Sequence, residues 1–130
     1  STPIKSSAAS DVYKRQEVYK AFQICSGDMN PLHTDLEFAK SKGFPECVMY
    51  GNIINAFVST LIGMCLPSPD VIIHSQDIQY KKPVFMNDVL DAEIRVEEVF
   101  ESVNTVELKF TFRNQYSQVV SKGHVQIGVI

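Results

Sequence analysis

Hydrophobic residues change their spacing at about residue 70, and this change separates a helical first half of the chain from a strand-rich second half. Val18, Phe22 and Cys25 are spaced i, i+4 and i+7, which places them on one face of a helix. The polar, turn-rich segment SGDMNPLH (residues 26–33) follows, so we expect this helix to end near Ser26-Gly27.

Two further helices are predicted before residue 70. Thr34 is followed three residues later by Glu37, the pattern of a capping box at the start of a short helix. Gly43 is expected to end that helix in the left-handed conformation. The second helix extends from about Gly51 to Leu66, and its apolar residues surround the helical axis. A helix that is apolar on nearly all sides is expected to be central and covered.

From Val71 onward apolar and polar residues alternate, which is the pattern of strands that bury one face. Laying the central helix across the apolar face of one antiparallel sheet gives an α+β domain. The predicted strands are Val71–Tyr80, Val89–Phe100, Val103–Arg113 and Val119–Ile130, with a turn at Asn114–Ser117.

Composition limits the class of protein. The 130 residues, 45% of them apolar and 21% charged, suit one folded domain over residues 1–130 and exclude a disordered chain. The formal net charge of −3 speaks against a protein that binds the phosphate backbone of nucleic acids. The chain does not begin with Met and residues 1–10 show no signal-peptide pattern, so we interpret this start as processed or engineered and give it little weight.

The cysteines indicate the redox compartment of the protein, and a long uncharged segment raises the question of a membrane span. Cys25, Cys47 and Cys65 are odd in number and show no CxxC spacing. We therefore expect buried free thiols in a reducing, cytoplasmic compartment rather than a disulfide framework or a zinc site. No charge occurs from Cys47 to Pro69, but the Gly, Asn, Ser, Thr and Pro residues of this stretch argue against a membrane-spanning helix.

Asp28 and His33 stand five residues apart across a tight turn that contains Gly27, Asn30 and Pro31. Such a turn can bring both side chains to one point, and a carboxylate and an imidazole that share a water form a general acid–base pair. Two structural alternatives remain open. In the first, Asp28 only caps the turn through a side-chain bond to the backbone. In the second, His33 is only a solvated residue before the next helix. The spacing alone favours these structural alternatives.

Three segments, in order between Phe22 and Asp88, resemble a known family. SGDMNPLH followed by TDLEFAKSKGF (residues 26–44) resembles the signature of the MaoC-like, or (R)-specific enoyl-CoA hydratase, family. YGNIINAFVSTLIG (residues 50–63) is similar to the family's central helix. YKKPV (residues 80–84), with Asp88 after it, is similar to an element of the family's sheet.

This resemblance implies the hot-dog fold, a curved antiparallel sheet wrapped around a central helix, and the reversible hydration of trans-2-enoyl thioesters to (R)-3-hydroxyacyl thioesters. It implies that Asp28 takes a proton from water and that His33 binds the same water and helps to pass a proton to C2. The Gly51 amide would hydrogen-bond the thioester oxygen, a role that the free N–H groups of a helix start also favour. Asn30 would orient the turn or His33. Ser59 aligns with a family serine that lines the pocket.

The central helix also departs from the family pattern. Tyr50 stands in place of the usual His, Asn52 replaces an apolar residue, and Asn55 adds a second amide on the same helical face. These amides either are core groups with hydrogen-bond partners or line the acyl tunnel, and both interpretations stay open.

The acyl chain is expected to run along the central helix beside Phe57, Leu61 and Ile62. We expect it to be short, because each unpaired amide against a long hydrocarbon costs roughly 1–3 kcal/mol. Lys81-Lys82 could meet the phosphates of a carrier, although a solvated strand end is the favoured interpretation.

The resemblance implies a hydro-lyase of fatty acid metabolism that needs no metal and no organic cofactor and receives its acyl group from coenzyme A or an acyl carrier protein. His74 and His124 are interpreted as surface or cross-strand residues. The alternatives are an acyl-carrier-protein dehydratase, a hot-dog thioesterase, or a non-catalytic module that binds acyl thioesters. The presence of both Asp28 and His33 counts against the last. A single hot-dog unit with an open sheet edge predicts a homodimer.

Overall fold

The computed structural model describes the backbone of residues 4–7 and 12–130 and the side chains of residues 16–130. Helices dominate its first half and long strands its second half, as the spacing of apolar residues predicts. The helices are α1 (Val12–Ser26), α2 (Pro31–Thr34), α3 (Leu36–Ser41) and α4 (Gly51–Met64). The strands are β1 (Ile4–Ser7), β2 (Val71–Tyr80), β3 (Asp91–Phe100), β4 (Thr105–Arg113) and β5 (Val119–Val129).

The five strands form one antiparallel sheet in the order β1-β3-β4-β5-β2. β3, β4 and β5 follow one another along the chain and pair as neighbours, whereas β2 pairs with the far side of β5. The α+β prediction with a single sheet is confirmed, and β2 has the predicted bounds. β1 and β2 are the two edges of the sheet.

α4 packs on the apolar face of this sheet and supplies the centre of the core. The predicted alternation is correct for this face in β3, β4 and β5, because the buried side chains of these strands are mainly their apolar set. The buried residues of α4 are Ile53, Ile54, Val58, Leu61 and Ile62, and those of the sheet include Ala92, Ile94, Leu108, Phe110, Phe112, Val120, Val125 and Ile127. No helix among the described residues is long and apolar enough to cross a membrane.

One local prediction is wrong, and one short strand was not predicted. The capping box at Thr34 does not form, because Thr34 is the last residue of the short helix α2. Asp35 caps α3 instead, and its Oδ1 accepts a hydrogen bond from the Phe38 amide at 3.1 Å. β1 lies within residues 1–10, to which the sequence analysis gives little weight. It pairs with β3 through its backbone, so its side-chain pattern gave little sign of it.

The expected left-handed position at Gly43 is confirmed by its φ of 90°. Gly27 also has a positive φ, of 69°, and directly follows α1. This conformation, which favours glycine, turns the chain away from α1 and begins the segment that carries Asp28.

Candidate active site

The turn between α1 and α2 is held by side chains that bond to the backbone. The Asp28 amide donates to Ser26 Oγ at 3.1 Å, and the Asn30 amide donates to Asp28 Oδ1 at 2.9 Å. Asn30 then caps α2, because its Oδ1 accepts from the Leu32 amide at 2.9 Å. The predicted structural role of Asp28 is therefore present, but it occupies one carboxylate oxygen. Within the described part of the chain, Oδ2 of this exposed side chain has no hydrogen-bond partner.

His33 is half-buried on α2, so the alternative of a solvated histidine is wrong. Its Nδ1 lies 2.7 Å from the backbone carbonyl oxygen of Val48. A carbonyl oxygen can only accept, so Nδ1 must carry the hydrogen and the neutral ring has its lone pair on Nε2. The main chain thus fixes the tautomer in which Nε2 acts as an acceptor.

Two tyrosines, the half-buried Tyr19 and the buried Tyr50, hydrogen-bond to the backbone of this pair. The Tyr50 hydroxyl donates to the backbone carbonyl of Asp28 at 2.5 Å, and the Tyr50 ring lies 4.2 Å from the His33 ring, centroid to centroid. The Tyr19 hydroxyl donates to the carbonyls of His33 at 2.5 Å and Val48 at 3.3 Å. Burial raises the pKa of Tyr19 well above its ordinary value, so this phenol stays a donor at neutral pH.

Asp28, His33 and Gly51 line one open cavity of about 480 Å³. Gly51 is the first residue of α4, where the backbone N–H has no partner inside the helix. The Tyr80 ring packs against Gly51 so closely that a Cβ there would lie 2.9 Å from Tyr80 Cε1. The other lining residues are Phe22, Val48, Met49, Tyr50, Asn52, Ile54, Tyr80, Lys81, Lys82, Pro83 and Val84.

Four predicted substrate-binding residues do not line this cavity, and neither does Leu61, which is buried in the core although the acyl chain was expected beside it. Asn30 caps α2. Phe57 packs half-buried against the core, Ile62 is buried within it, and Ser59 is exposed on α4. A second cavity of about 320 Å³ also reaches His33 but contains none of these four residues.

The two amides of α4 have partners that the sequence analysis missed. Asn55 Nδ2 donates to Asn52 Oδ1 at 3.0 Å and to the Tyr80 hydroxyl at 3.3 Å, and Gln76 Nε2 donates to Asn55 Oδ1 at 3.2 Å. Gln76 and Tyr80 lie four residues apart on β2, hence on one face of the strand, which is the signal that could have found them. Asn52 lines the cavity, whereas Asn55 is absent from its lining.

Charged side chains occur both in the cavity wall and on the strands away from it. Lys81 and Lys82 are exposed and line it, so the solvated strand end is also part of the cavity wall. His124 lies across the strands from Asp77: its Nδ1 is 3.5 Å from Asp77 Oδ2, and its Nε2 is 3.7 Å from Glu97 Oε2, which confirms its cross-strand placement. The described residues contain no group of three or more His, Cys, Asp or Glu side chains arranged to hold a metal ion.

The chain is similar to known proteins over this same region. The MaoC like domain model matches residues 3–116. The (R)-specific enoyl-CoA hydratase of Aeromonas caviae is 37% identical over 76 residues, which are 58% of this chain and 57% of that protein. A mitochondrial 3-hydroxyacyl-[acyl-carrier-protein] dehydratase of Solanum lycopersicum is 35% identical over 68 residues, 52% of this chain and 40% of that protein. This chain therefore spans only part of the length of these curated relatives.

A solved structure described as an (R)-hydratase from A. caviae involved in PHA biosynthesis superposes with a TM-score of 0.86 at 26% identity, covering 99% of this chain and 95% of that one. This likeness confirms the expected hot-dog arrangement of sheet and helix. With a family model that extends over residues 3–116 and a fold that agrees with it, the chain belongs to the MaoC-like domain family.

Proposed function

We propose that this protein hydrates trans-2-enoyl thioesters to (R)-3-hydroxyacyl thioesters and catalyses the reverse dehydration, with Asp28 and His33 as the catalytic residues. One observation carries the proposal: the same cavity is lined by an imidazole with a fixed tautomer and by a carboxylate oxygen and a helix N–H that have no hydrogen-bond partner among the described residues. The names of the similar hydratases support the substrate class and the (R) configuration.

The two side chains offer two acceptors to one water molecule. Because Nδ1 of His33 donates to the Val48 carbonyl, Nε2 accepts one hydrogen of the water, and Asp28 Oδ2 accepts the other. The water oxygen then has a lone pair free to attack C3 of the enoyl group. Asp28 takes the proton that the water loses as the O–C3 bond forms.

The electrons of the C2–C3 double bond move toward the thioester carbonyl during this attack. The negative charge that develops on the thioester oxygen faces the Gly51 amide, where a helix N-terminus favours it. The charge then returns to C2, which receives the proton through the Asp28–His33 pair. All atoms of the water end up in the product, so no metal or organic cofactor is needed to balance this reaction.

The carrier of the acyl group is proposed from charge. Lys81 and Lys82 line the cavity and place two positive charges where the phosphates of a carrier would approach. Both coenzyme A and acyl carrier protein present such phosphates, and relatives are named for each. Comparison of crotonyl-CoA with crotonyl-acyl carrier protein at equal concentration decides between these two carriers.

We also propose that the acyl chain is short and that the protein is a homodimer in a reducing compartment. Asn52 lines the cavity, and its Nδ2 has no hydrogen-bond partner in the described part of the chain, so a long hydrocarbon there would leave it unpaired.

The ten-residue edge strand β2 supports a dimer, because an open edge favours pairing. Light scattering should give a mass near twice 14.6 kDa. The three cysteines are free, which supports a reducing compartment, but Cys25 is exposed and Cys47 and Cys65 are half-buried, so the expected burial of all three thiols is wrong.

The test of the activity is hydration of crotonyl-CoA, followed by loss of the enoyl-thioester absorbance band, with a free-thiol assay on the same sample. We expect the absorbance to fall without release of thiol. Release of thiol would instead identify a thioesterase, and tight binding of crotonyl-CoA with unchanged absorbance would identify a non-catalytic module.

A further inference from the structure

We propose that Tyr50 is a positioning residue that holds the Asp28 turn and the His33 ring in their working arrangement. This inference rests on the proposed function, because Asp28 and His33 act in it as one pair. It is carried by the placement of a single buried phenol, which is 2% exposed and reaches both halves of the pair.

The hydroxyl end of Tyr50 fixes the backbone next to the proposed base. It donates to the Asp28 carbonyl at 2.5 Å, across 22 residues of sequence. The Asp28 side chain is bonded on its other side to the Asn30 amide. The Tyr50 hydroxyl is therefore the long-range contact of a turn whose remaining side-chain hydrogen bonds join residues two to five positions apart.

The ring of Tyr50 supports the imidazole. The centroids of Tyr50 and His33 lie 4.2 Å apart with 33° between the ring planes. On its other sides the Tyr50 ring contacts Tyr19 at 4.9 Å and Phe22 at 4.7 Å. Tilted aromatic contacts at these centroid distances limit where a ring can move, so the Tyr50 ring restricts His33 in addition to the direction that its Val48 hydrogen bond sets.

The main chain of Tyr50 also begins α4. Tyr50 is the N-cap, its carbonyl accepts from the Ile53 amide at 3.1 Å, and the next residue is Gly51. One residue thus connects the proposed base, the imidazole and the amide that faces the thioester oxygen. Misplacing reacting groups by about 1 Å can cost about a hundredfold in rate, so a residue with these three connections is expected to affect kcat.

The test is Tyr50→Phe, which removes the hydroxyl and keeps the ring. We expect kcat for crotonyl-CoA to fall by about tenfold to a hundredfold, with KM changed less than about twofold, because the Tyr50 hydroxyl is already bonded to protein and is not offered to the thioester. Tyr116→Phe is the matched control, since Tyr116 is 73% exposed in the turn between β4 and β5, and it should leave kcat and KM unchanged.

A second measurement separates positioning from loss of folding. The amide signals of Asp28 and Asn30 in a ¹H–¹⁵N spectrum should shift in Tyr50→Phe, while signals of β4 and β5 stay in place and the melting temperature changes by only a few degrees. Retention of more than half of the wild-type kcat, or a fall in kcat without these shifts, would overturn the proposal. If the wild type itself does not hydrate crotonyl-CoA, the proposed function fails, and the amide shifts alone decide whether Tyr50 holds the turn.

Discussion

Asp28→Asn is the substitution that separates the catalytic role of Asp28 from its structural role. Oδ1 of Asp28 accepts the Asn30 amide at 2.9 Å, whereas Oδ2 has no partner among the described residues. The asparagine side chain retains an oxygen for the Asn30 amide but offers no second acceptor for the proton of a water. The turn should therefore persist while the base is lost.

The expected magnitudes differ for activity and stability. General acid–base catalysis contributes about 10² to 10⁴ in rate, and each factor of ten is about 1.36 kcal/mol. The hydration rate should thus fall at least about a hundredfold, which is about 2.7 kcal/mol in the activation free energy. The free energy of unfolding should change by only about 1 kcal/mol, because one exposed hydrogen bond loses its charged acceptor.

The assay is the initial rate of crotonyl-CoA hydration, with thermal melts of the same samples. Asp35→Asn is the matched control. It removes the same charge from a carboxylate that caps α3 and is absent from the cavity lining, and asparagine caps helices about as well as aspartate. The control should keep its rate. If Asp28→Asn retains more than about a tenth of the wild-type rate, the assigned mechanism is wrong.

The His33 variant needs more care, because this side chain is half-buried and bonded to Val48. His33→Ala should be inactive but would also leave the Val48 carbonyl without its donor. His33→Asn keeps an N–H group near the position of Nδ1 and removes the acceptor at Nε2. The double variant Asp28→Asn/His33→Asn should be little slower than either single variant, because groups that act on one water act as a unit. Multiplied losses would contradict that coupling.

Three further outcomes are expected. Burial raises the pKa of Tyr19, so the unfolded state ionises first above about pH 10 and stability falls as the pH rises; Tyr19→Phe should lessen that fall in urea denaturation between pH 9 and 11, and an equal fall in both proteins would contradict it. Gly51→Ala places a Cβ 2.9 Å from the Tyr80 ring and should slow hydration about tenfold; Gly63→Ala, whose Cβ meets nothing within 4 Å, should keep its rate and gain about 0.5–1 kcal/mol of stability. The wild type should prefer four-carbon over twelve-carbon enoyl thioesters, and Asn52→Leu should shift the ratio of their rates toward the longer chain by about tenfold, since an unpaired amide costs roughly 1–3 kcal/mol. Equal turnover of both chain lengths by the wild type would refute this.

The strands and the central helix could be predicted because burial imposes a period on the sequence. One face of β3, β4 and β5 packs on the core that α4 centres, so most positions on that face are apolar, Ser121 being a buried polar exception, and the alternation follows from this burial. β1 was missed because an edge strand of four residues needs only backbone pairing with β3. The start of α3 was misplaced by one residue, since Thr34 and Asp35 are both good caps and tertiary contacts select between them.

The candidate site was predictable only in part, because its parts come together through contacts between distant residues. Asp28 and His33 lie five residues apart in the sequence. Gly51 begins a helix that the spacing of apolar residues predicts. The acceptor that fixes the His33 tautomer is the Val48 carbonyl oxygen, 15 residues away in the sequence. No local pattern specifies a backbone carbonyl as a partner, so the role of Nε2 could not be deduced before the fold.

The departures from the family pattern on α4 come with partners on other elements. Tyr50 reaches the Asp28 carbonyl on the turn after α1. Asn55 bonds to Tyr80 and Gln76 on β2. A buried polar group without a partner costs roughly 1–3 kcal/mol, so the buried Tyr50 hydroxyl would destabilise the fold if it lacked its Asp28 contact. Among the described residues, the side-chain polar groups of Tyr50 and Asn55 and the Asn52 Oδ1 all have partners. Nδ2 of Asn52 and Oδ2 of Asp28 have none in this part of the chain. Such a distribution leaves free the groups that a water and an acyl group would use, and it makes Asn52 the side chain through which this cavity would select its acyl chain.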